Sequence, residues 1–348
     1  MSDILTTDSA AAIPDNAKAP SGHLLEVDNL FVEFRTQDGV AKVINGVTYH
    51  VDAGETLAVL GESGSGKSVT AQAIMGILDT PPGFVTGGEI RFQGENMLKM
   101  GAEKRRQIRG DGIAMVFQDA LSALNPVFSV GFQIAEVFRK RRGMSRKDAM
   151  NRAGELLDLV KIPNAKGRVK AYPHEFSGGM RQRVMIAMSL ALDPEVLIAD
   201  EPTTALDVTV QAQIMDLLAE LRRERNMGLI LITHDLGVVA DVADRIAVMY
   251  AGRIIEEAGI FDLFKKPCHP YTQGLLNSIP RLDLKGQELS TIKGLPPNLM
   301  RIPPGCPFHP RCPMAVKGTC DVDVPPLLQL DVSRASACHF AEELYERG

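Results

Sequence analysis

The sequence contains no apolar run long enough to cross a membrane. The longest clearly apolar stretch, residues 184–192, is about half of the ~20 residues that a membrane-spanning helix needs. Residues 1–22 are rich in Ala, Asp, Ser and Pro, and no basic segment is followed by an apolar one. They therefore predict a disordered N-terminal tail and not a secretory signal. We expect a protein that does not cross a membrane by itself.

The sequence also lacks an excess of positive charge. The 38 Lys and Arg residues are outnumbered by 43 Asp and Glu residues, which leaves a formal net charge of −5. Proteins that bind nucleic acid usually concentrate basic residues on one face, because phosphates attract them. The charge balance gives no electrostatic reason to expect binding to nucleic acid or to an anionic membrane surface.

A glycine-rich segment at residues 61–68 (GESGSGKS) lies between a strand-like run and a helix-like run. The backbone N–H groups of such a loop can surround the phosphates of a nucleotide at the positive end of the helix dipole. Lys67 is expected to reach the β- and γ-phosphates, and Ser68 to ligate Mg²⁺. The other residues expected to bind the nucleotide here are Gly61, Ser63, Gly64, Ser65, Gly66 and Val69. Residues 61–68 therefore predict a P-loop and a nucleoside triphosphate as ligand.

Four polar side chains follow short apolar strands, where α/β folds bind their ligands. Asp200 is expected to act on Mg²⁺, directly or through water, and Glu201 to serve as the general base or to orient the attacking water. His234 is expected to contact the γ-phosphate, the alternative being that it caps the next helix. Gln118 is expected to sense Mg²⁺ and water.

A second anion-binding helix start is predicted at residues 176–183 (FSGGMRQR). Ser177 is a good N-cap, and the two glycines that follow leave the first N–H groups of the helix exposed. One chain with two phosphate-binding helix ends needs an explanation. The simplest is that the second end serves a nucleotide held by another subunit.

The strand and helix patterns predict an α/β fold with a mostly parallel sheet. We expect a nucleotide-binding core at residues 23–118 and 177–266, which begins with an antiparallel lead-in sheet. A helical insertion is expected at residues 119–176. Twelve of the 21 prolines lie between residues 267 and 326, so residues 267–348 predict a separate, loop-rich extension.

In order and spacing, these motifs resemble those of ATP-binding cassette (ABC) ATPases, over residues 24–280. The family signature begins Leu-Ser-Gly-Gly-Gln; here Phe176 and Met180 occupy its first and last positions, while the Ser-Gly-Gly core is intact. The segments similar to the ATPase subunits of bacterial peptide importers are FQDALSALNP at 117–126, YPHEF at 172–176, ADEPTTALDVTVQ at 199–211, PPNL at 296–299 and GCPFHPRCP at 305–313. Dipeptide and nickel importers share most of these motifs.

The resemblance implies a P-loop NTPase cassette with a RecA-like mixed sheet. Two cassettes would enclose two ATP molecules, with Ser177, Gly178 and Gly179 acting on the partner's nucleotide and Asp207 contributing to the nucleotide site. An aromatic ring at Phe34 would stack under adenine. The implied activity is ATP hydrolysis coupled to oligopeptide uptake at the cytoplasmic face of the bacterial membrane.

The implied partners are a second, different cassette subunit, two transmembrane permease subunits and an extracytoplasmic peptide-binding protein. The competing interpretation is a soluble ABC protein that acts on ribosomes or DNA. Such proteins usually carry two cassettes in one chain or a long coiled-coil insertion, and neither is present in this sequence. A nucleic-acid-binding module is disfavoured by the acidic charge balance.

Four of the five cysteines are confined to the C-terminal extension: Cys306, Cys312, Cys320 and Cys338. Their spacing does not match a standard zinc ribbon, although four thiolates suit either Zn²⁺ or an iron–sulfur cluster. The resemblance to peptide-importer ATPases implies a [4Fe–4S] cluster on these four positions. Zn²⁺ and unligated thiols remain the alternatives, and Cys268 is expected to act only as a small apolar residue.

Overall fold

The computed structural model describes residues 22–119, 123–204, 206–278 and 292–347. The disordered tail predicted at residues 1–22 lies outside these ranges apart from its last residue. The helices are α1 (Lys67–Met75), α2 (Ala102–Asp111), α3 (Val130–Arg142), α4 (Arg146–Leu159), α5 (Ala165–Arg168), α6 (Gly178–Ser189), α7 (Val208–Arg225), α8 (Leu236–Val242), α9 (Ile260–Lys265), α10 (Pro270–Asn277) and α11 (Ala341–Arg347). None of the helices in these ranges has both the length and the apolar character to span a bilayer.

The chain begins with a four-stranded antiparallel sheet. Its strands are β1 (Leu25–Thr36), β2 (Gly39–Val51), β4 (Gly83–Phe92) and β5 (Glu95–Asn96), in the order β2-β1-β4-β5. Alternate residues of β1 are buried on each side of a bulge that shifts the register: Leu25 and Val27 before it, and Leu30 and Val32 after it. This period of two is expected for a sheet with one face packed on the core.

The second sheet has eight strands in the order β11-β12-β10-β9-β3-β8-β7-β6. Its strands are β3 (Thr56–Leu60), β6 (Ile113–Val116), β7 (Val196–Asp200), β8 (Gly228–Thr233), β9 (Arg245–Tyr250), β10 (Arg253–Gly259), β11 (Leu328–Asp331) and β12 (Arg334–Ser336). The five strands from β9 to β6 are parallel, and β10, β12 and β11 continue the sheet in antiparallel pairing. The predicted mixed α/β fold with an antiparallel lead-in sheet is confirmed.

Strand β3 shows why this sheet lies in the middle of the molecule. Leu57 and Val59 pack into the apolar cluster that includes the first sheet, whereas Ala58 and Leu60 pack into the cluster that includes the helices. A strand buried on both faces reads as a continuous apolar run, as β3 does. The P-loop that follows is thereby attached to a strand that is buried on both faces.

The C-terminal segment contributes strands β11 and β12 to the main sheet. Strand β12 pairs with β10 through Ser336 opposite Glu256 and Ala335 opposite Glu257. Proline excludes regular structure only where it occurs, and β11 and β12 contain none. The proline-rich pattern did not indicate this hairpin, which attaches the segment to the sheet.

Candidate functional site

The P-loop, residues 61–68, runs from the end of β3 to the start of α1. A Cβ atom at Gly61 would lie 2.2 Å from the carbonyl oxygen of Met249 in β9. Gly66 has φ 110°, and a Cβ there would lie 2.7 Å from Cδ1 of Ile44. Only glycine fits these two positions, because the loop turns tightly against neighbouring strands.

Lys67 is buried within the loop that precedes it. Its Nζ donates hydrogen bonds to the carbonyl oxygens of Gly61 at 2.7 Å and Glu62 at 3.1 Å. Burial lowers the pKa of Lys67, and the carboxylates of Glu201 and Asp200 oppose this shift. The ammonium group is thus held across the loop, where anionic oxygens would replace the carbonyl groups as its partners.

Ser68 and Asp200 form a pair of oxygen ligands. Ser68 Oγ donates to Asp200 Oδ1 at 3.0 Å, across 132 positions of sequence. Burial raises the pKa of Asp200, and the hydrogen bond from Ser68 opposes this shift. Hydroxyl and carboxylate oxygens are hard ligands of the kind that Mg²⁺ prefers, so the donor set fits this ion.

Glu201 is the centre of a polar cluster at the ends of β6, β7 and β8. Gln118 Nε2 and Thr204 Oγ1 each donate to Glu201 Oε2 at 3.0 Å, and His234 Nδ1 lies 3.4 Å from Glu201 Oε1. Glu201 has φ 45°, which is a left-handed backbone conformation. Residues other than glycine rarely adopt it, and those that do are often found at functional sites. Asp235, not His234, caps α8.

One cavity of about 570 Å³ brings most of the predicted site residues together. Its lining residues are Val43, Glu62, Ser63, Gly64, Gly66, Lys67, Ser68, Val69, Gln118, Glu201, His234 and Leu299. Sequence reasoning missed Val43, Glu62 and Leu299. Leu299 comes from the C-terminal segment, where its carbonyl oxygen accepts the N–H of Lys42 at 3.1 Å. No local pattern could have indicated this contact, because 257 residues separate the two partners.

The other predicted nucleotide-binding residues of the described chain are not part of this lining. Ser177 caps α6 by accepting the N–H of Met180, and both Ser177 and Gly178 are exposed. A Cβ at Gly179 would lie 2.3 Å from Cγ1 of Val210, so glycine is needed for α6 to approach α7. The N-terminus of α6, which is the second predicted anion-binding helix end, is therefore exposed on the surface of the chain.

Four more of the predicted residues also lie outside the lining of the cavity. Asp207 is exposed and caps α7 by accepting the N–H of Val210. Phe34 lies in β1, half-buried, between Ala41 of β2 and Gly83 of β4. Gly61 and Ser65 lie within the P-loop but behind its inner surface, both buried.

The four cysteines of the C-terminal segment are close enough for their charges to interact. The electrostatic partners of Cys338 include Cys306, Cys312 and Cys320, and burial raises the pKa of the Cys338 thiol to about 12. Cys320 Sγ accepts the N–H of Val316 at 3.4 Å.

The remaining three cysteine sulfurs accept a backbone N–H from two residues further along the chain. These donors are Phe308 for Cys306, Met314 for Cys312 and Phe340 for Cys338. Hydrogen bonds of this kind stabilise thiolates in metal sites.

The spacing of these sulfurs bears on the choice of metal. In the part of the chain that the structure describes, no three of them lie within 4.8 Å of one another. A tetrahedral zinc ion with Zn–S bonds of about 2.3 Å needs sulfurs only about 3.8 Å apart. An iron–sulfur cube separates its ligands further, because each binds a different iron. Four thiolates are the usual protein ligands of such a cluster.

Two family profiles match the chain. The profile "ABC transporter" matches residues 44–204, and the profile "Oligopeptide/dipeptide transporter, C-terminal region" matches residues 255–320. The first range contains the P-loop and the carboxylates of the cavity. The second contains three of the four clustered cysteines: Cys306, Cys312 and Cys320.

Curated relatives resemble the chain over most of its length. The oligopeptide transport ATP-binding protein OppD of Salmonella typhimurium is 52% identical, over 92% of this chain and 95% of the relative. The dipeptide transport ATP-binding protein DppD of Bacillus subtilis is also 52% identical, over 83% of this chain and 87% of the relative.

Solved structures show the same fold. A dimeric structure of the ABC transporter cassette MJ0796 matches with a TM-score of 0.60 and 29% identity, over 68% of this chain and 98% of that one. A post-hydrolysis dimer of the same cassette with ADP and Pi bound matches equally well, with a TM-score of 0.60 and 28% identity, over 68% and 98%. The chain therefore belongs to the ATP-binding proteins of ABC transporters, and it is an ATPase of that family.

Proposed function

We propose that this chain powers the uptake of oligopeptides across the cytoplasmic membrane of a bacterium. The observation that carries the proposal is the 570 Å³ cavity in which the P-loop faces Gln118, Glu201 and His234. The oligopeptide substrate is supported by the similarity to OppD at 52% identity.

In the proposed site the triphosphate of ATP lies along the N–H groups of the P-loop. Lys67 exchanges its two carbonyl partners for the β- and γ-phosphate oxygens. Ser68, Asp200 and Gln118 would hold Mg²⁺, which would supply positive charge to neutralise the phosphates. Glu201 accepts a hydrogen bond from the attacking water and orients it, while His234 contacts the γ-phosphate.

The second helix start is proposed to act on a nucleotide held by another cassette. Ser177 and Gly178 are exposed and outside the cavity, which supports a role for Ser177, Gly178 and Gly179 across a subunit interface. Asp207 lies exposed at the start of α7, beside this surface. Phe34 is proposed to stack on adenine, for which only the ring is required. The partner cassette is proposed to be a different chain.

We propose that the insertion at residues 119–176 docks on the membrane subunits. Val127 is 70% exposed and Phe128 44% exposed, next to each other in the loop before α3. Apolar side chains exposed together mark a contact surface more often than a solvated one. The complex would hold two permease subunits and an extracytoplasmic binding protein, with this chain at the cytoplasmic face.

The four clustered cysteines are proposed to hold a [4Fe–4S] cluster. The support is the sulfur spacing and the backbone N–H groups donated to each sulfur. Purified full-length protein should be brown and contain about four iron atoms per chain. Cys320→Ser should lose the colour, while Cys268→Ser keeps it. Colourless protein with one zinc ion per chain would show that the assignment is wrong.

A dipeptide importer is the second candidate, favoured by the equal identity of 52% to DppD. The test is to purify the chain from membranes with its partners and reconstitute the complex in vesicles. ATP-dependent accumulation of peptides of four or five residues supports the oligopeptide assignment, and accumulation of dipeptides alone supports the second candidate. Recovery of ribosomes or DNA instead of permeases would overturn both.

A further inference from the structure

A buried arginine of the cysteine-bearing segment binds the P-loop directly. Arg311 Nη1 lies 2.7 Å from Glu62 Oε2, and Arg311 Nη2 lies 3.0 Å from Glu62 Oε1. The Arg311 side chain is only 7% exposed. A guanidinium and a carboxylate bind most strongly through two parallel hydrogen bonds. These bonds fix the relative orientation of the two groups as well as their separation.

The Arg311 guanidinium makes two further polar contacts. Its Nε donates to the carbonyl oxygen of Lys293 at 3.1 Å, and its Nη1 also lies 3.4 Å from the Tyr250 hydroxyl. The hydrogen bonds to Glu62 raise the pKa of Arg311 above its already high ordinary value. Arg311 therefore remains charged and is held in one orientation towards the P-loop.

Glu62 is held at its backbone as well as at its carboxylate. Its N–H donates to the hydroxyl of Tyr271 at 2.9 Å. Its carbonyl oxygen accepts from Lys67 Nζ at 3.1 Å and from the N–H of Ser65 at 3.2 Å. The position of Glu62 thus fixes one of the two carbonyl oxygens to which Lys67 Nζ donates a hydrogen bond.

The charge of Glu62 matters because this residue lines the cavity. The cavity already contains Glu201, and Asp200 lies beside it. A third unpaired carboxylate near the P-loop would repel the triphosphate of ATP. The paired guanidinium cancels that charge without itself lining the cavity.

We propose that Arg311 is a positioning residue for ATP binding, which acts by neutralising and orienting Glu62. It thereby makes ATP affinity depend on the cysteine-bearing segment. The inference rests on the proposed assignment of the 570 Å³ cavity as the ATP site.

The link to the cysteines is structural. Arg311 ends the short 3-10 helix His309–Arg311, and Cys312 follows it immediately. Phe308, two residues after Cys306, packs its ring 5.3 Å from Tyr250 and 5.3 Å from Tyr271. These are the two tyrosines that contact Arg311 and Glu62. The loop between Cys306 and Cys312 therefore packs directly against the residues that hold Glu62.

The test compares full-length wild-type protein with Arg311→Ala by equilibrium titration with ATP. We expect about tenfold weaker binding, which corresponds to about 1.4 kcal/mol. In the assembled transporter the KM for ATP should rise while kcat changes little. The difference should shrink at high salt, because salt screens the exposed carboxylate. Arg347→Ala is the matched control, since Arg347 pairs with Glu343 on α11 and is exposed.

A rescue experiment separates this role from a structural one. Glu62→Gln combined with Arg311→Ala should restore ATP affinity, because no unpaired carboxylate remains. A double variant as weak as Arg311→Ala would overturn the proposal. If Arg311→Ala does not fold by thermal melting, Arg311→Lys replaces it; this variant keeps the charge and loses the two-point contact, and it should show a smaller loss of affinity. Unchanged affinity in Arg311→Lys would then count against the orienting role.

A separate measurement tests the proposed link between the cysteine-bearing segment and ATP binding. Cys312→Ser should weaken ATP binding, and its effect should not add to that of Arg311→Ala, since both act through one contact. Cys268→Ser is the control. Full additivity would contradict the link. Wild-type protein that binds no ATP would instead reject the proposed function, whereas wild-type binding with an unaffected Arg311→Ala variant would reject this inference alone.

Discussion

Gln118 Nε2 lies 3.0 Å from Glu201 Oε2, although the two residues are 83 positions apart in the sequence. They meet because β6 and β7 are parallel neighbours whose carboxyl ends reach the same edge of the sheet. The hydrogen bond holds the Glu201 carboxylate at the wall of the cavity, and the prediction for Glu201 depends on this arrangement.

Glu201→Gln should preserve ATP binding and reduce steady-state hydrolysis by at least ~100-fold, the usual range for loss of a general base. The amide can accept the hydrogen bond from Gln118 but cannot accept a proton from water. Phosphate release by the assembled transporter measures the rate, and titration with ATP measures binding. Glu220→Gln is the control, because Glu220 is paired with Lys161 on the surface. Near-normal turnover of Glu201→Gln would contradict the assignment.

Ser68→Ala should remove most of the gain in ATP affinity that Mg²⁺ provides. The hydroxyl is one of the oxygens proposed to hold the ion, and its loss leaves only Asp200 and Gln118 as protein ligands. ATP affinity is measured with Mg²⁺ and again with excess chelator. The variant should match the wild type only in chelator. Ser189→Ala, in α6 and away from the cavity, is the control. An undiminished Mg²⁺ effect would show that Ser68 is not a ligand.

Ser177→Ala should leave ATP affinity of the separate chain unchanged, because Ser177 is outside the cavity that holds the P-loop. In the assembled transporter the same variant should lower ATP hydrolysis by about tenfold or more, through loss of a contact made across the interface. The two measurements together distinguish a site within one chain from one shared by two. Weaker ATP binding by the separate chain would refute the shared site.

Glu256 should make stability fall as pH rises. It is fully buried on β10, and burial raises its pKa from 4.5 to about 7; the charged or titratable groups around it are Arg334, Cys268 and His269. The folded state then binds more protons than the unfolded state between pH 4.5 and 7, so stability is present below this window and is lost across it. The full loss is on the order of 3 kcal/mol.

The measurement is thermal or urea unfolding of wild type and Glu256→Gln at pH values from 4.5 to 8. Because other groups titrate equally in both proteins, the difference between them isolates Glu256. The variant should gain stability relative to wild type as pH rises through the window. Glu342→Gln, an exposed change on α11, should show a constant difference. A constant difference for Glu256→Gln would mean that its pKa is not raised.

Many of the cavity residues could be predicted from the sequence because they belong to short contiguous motifs. A P-loop is a contiguous segment. The spacing of its glycines, Lys67 and Ser68 can therefore be recognised in the sequence without knowledge of the rest of the fold. Asp200 and Glu201 were also recognisable, because an apolar run that ends in two carboxylates points to a strand edge. The helix start at Ser177 was readable from its capping residue and glycines.

The residues that only tertiary structure could identify contact the site from far away in the sequence. Val43 and Leu299 line the cavity although no local pattern indicated that they would reach it, and Arg311 reaches Glu62 across 249 positions. The attachment of β12 to β10 was hidden in the same way, because strand pairing depends on register between distant segments. The sequence by itself determined which chemistry the chain carries. The packing of the C-terminal segment against the P-loop decided which distant groups contact the site, because burial and ion pairing between distant residues produce no periodic pattern in the sequence.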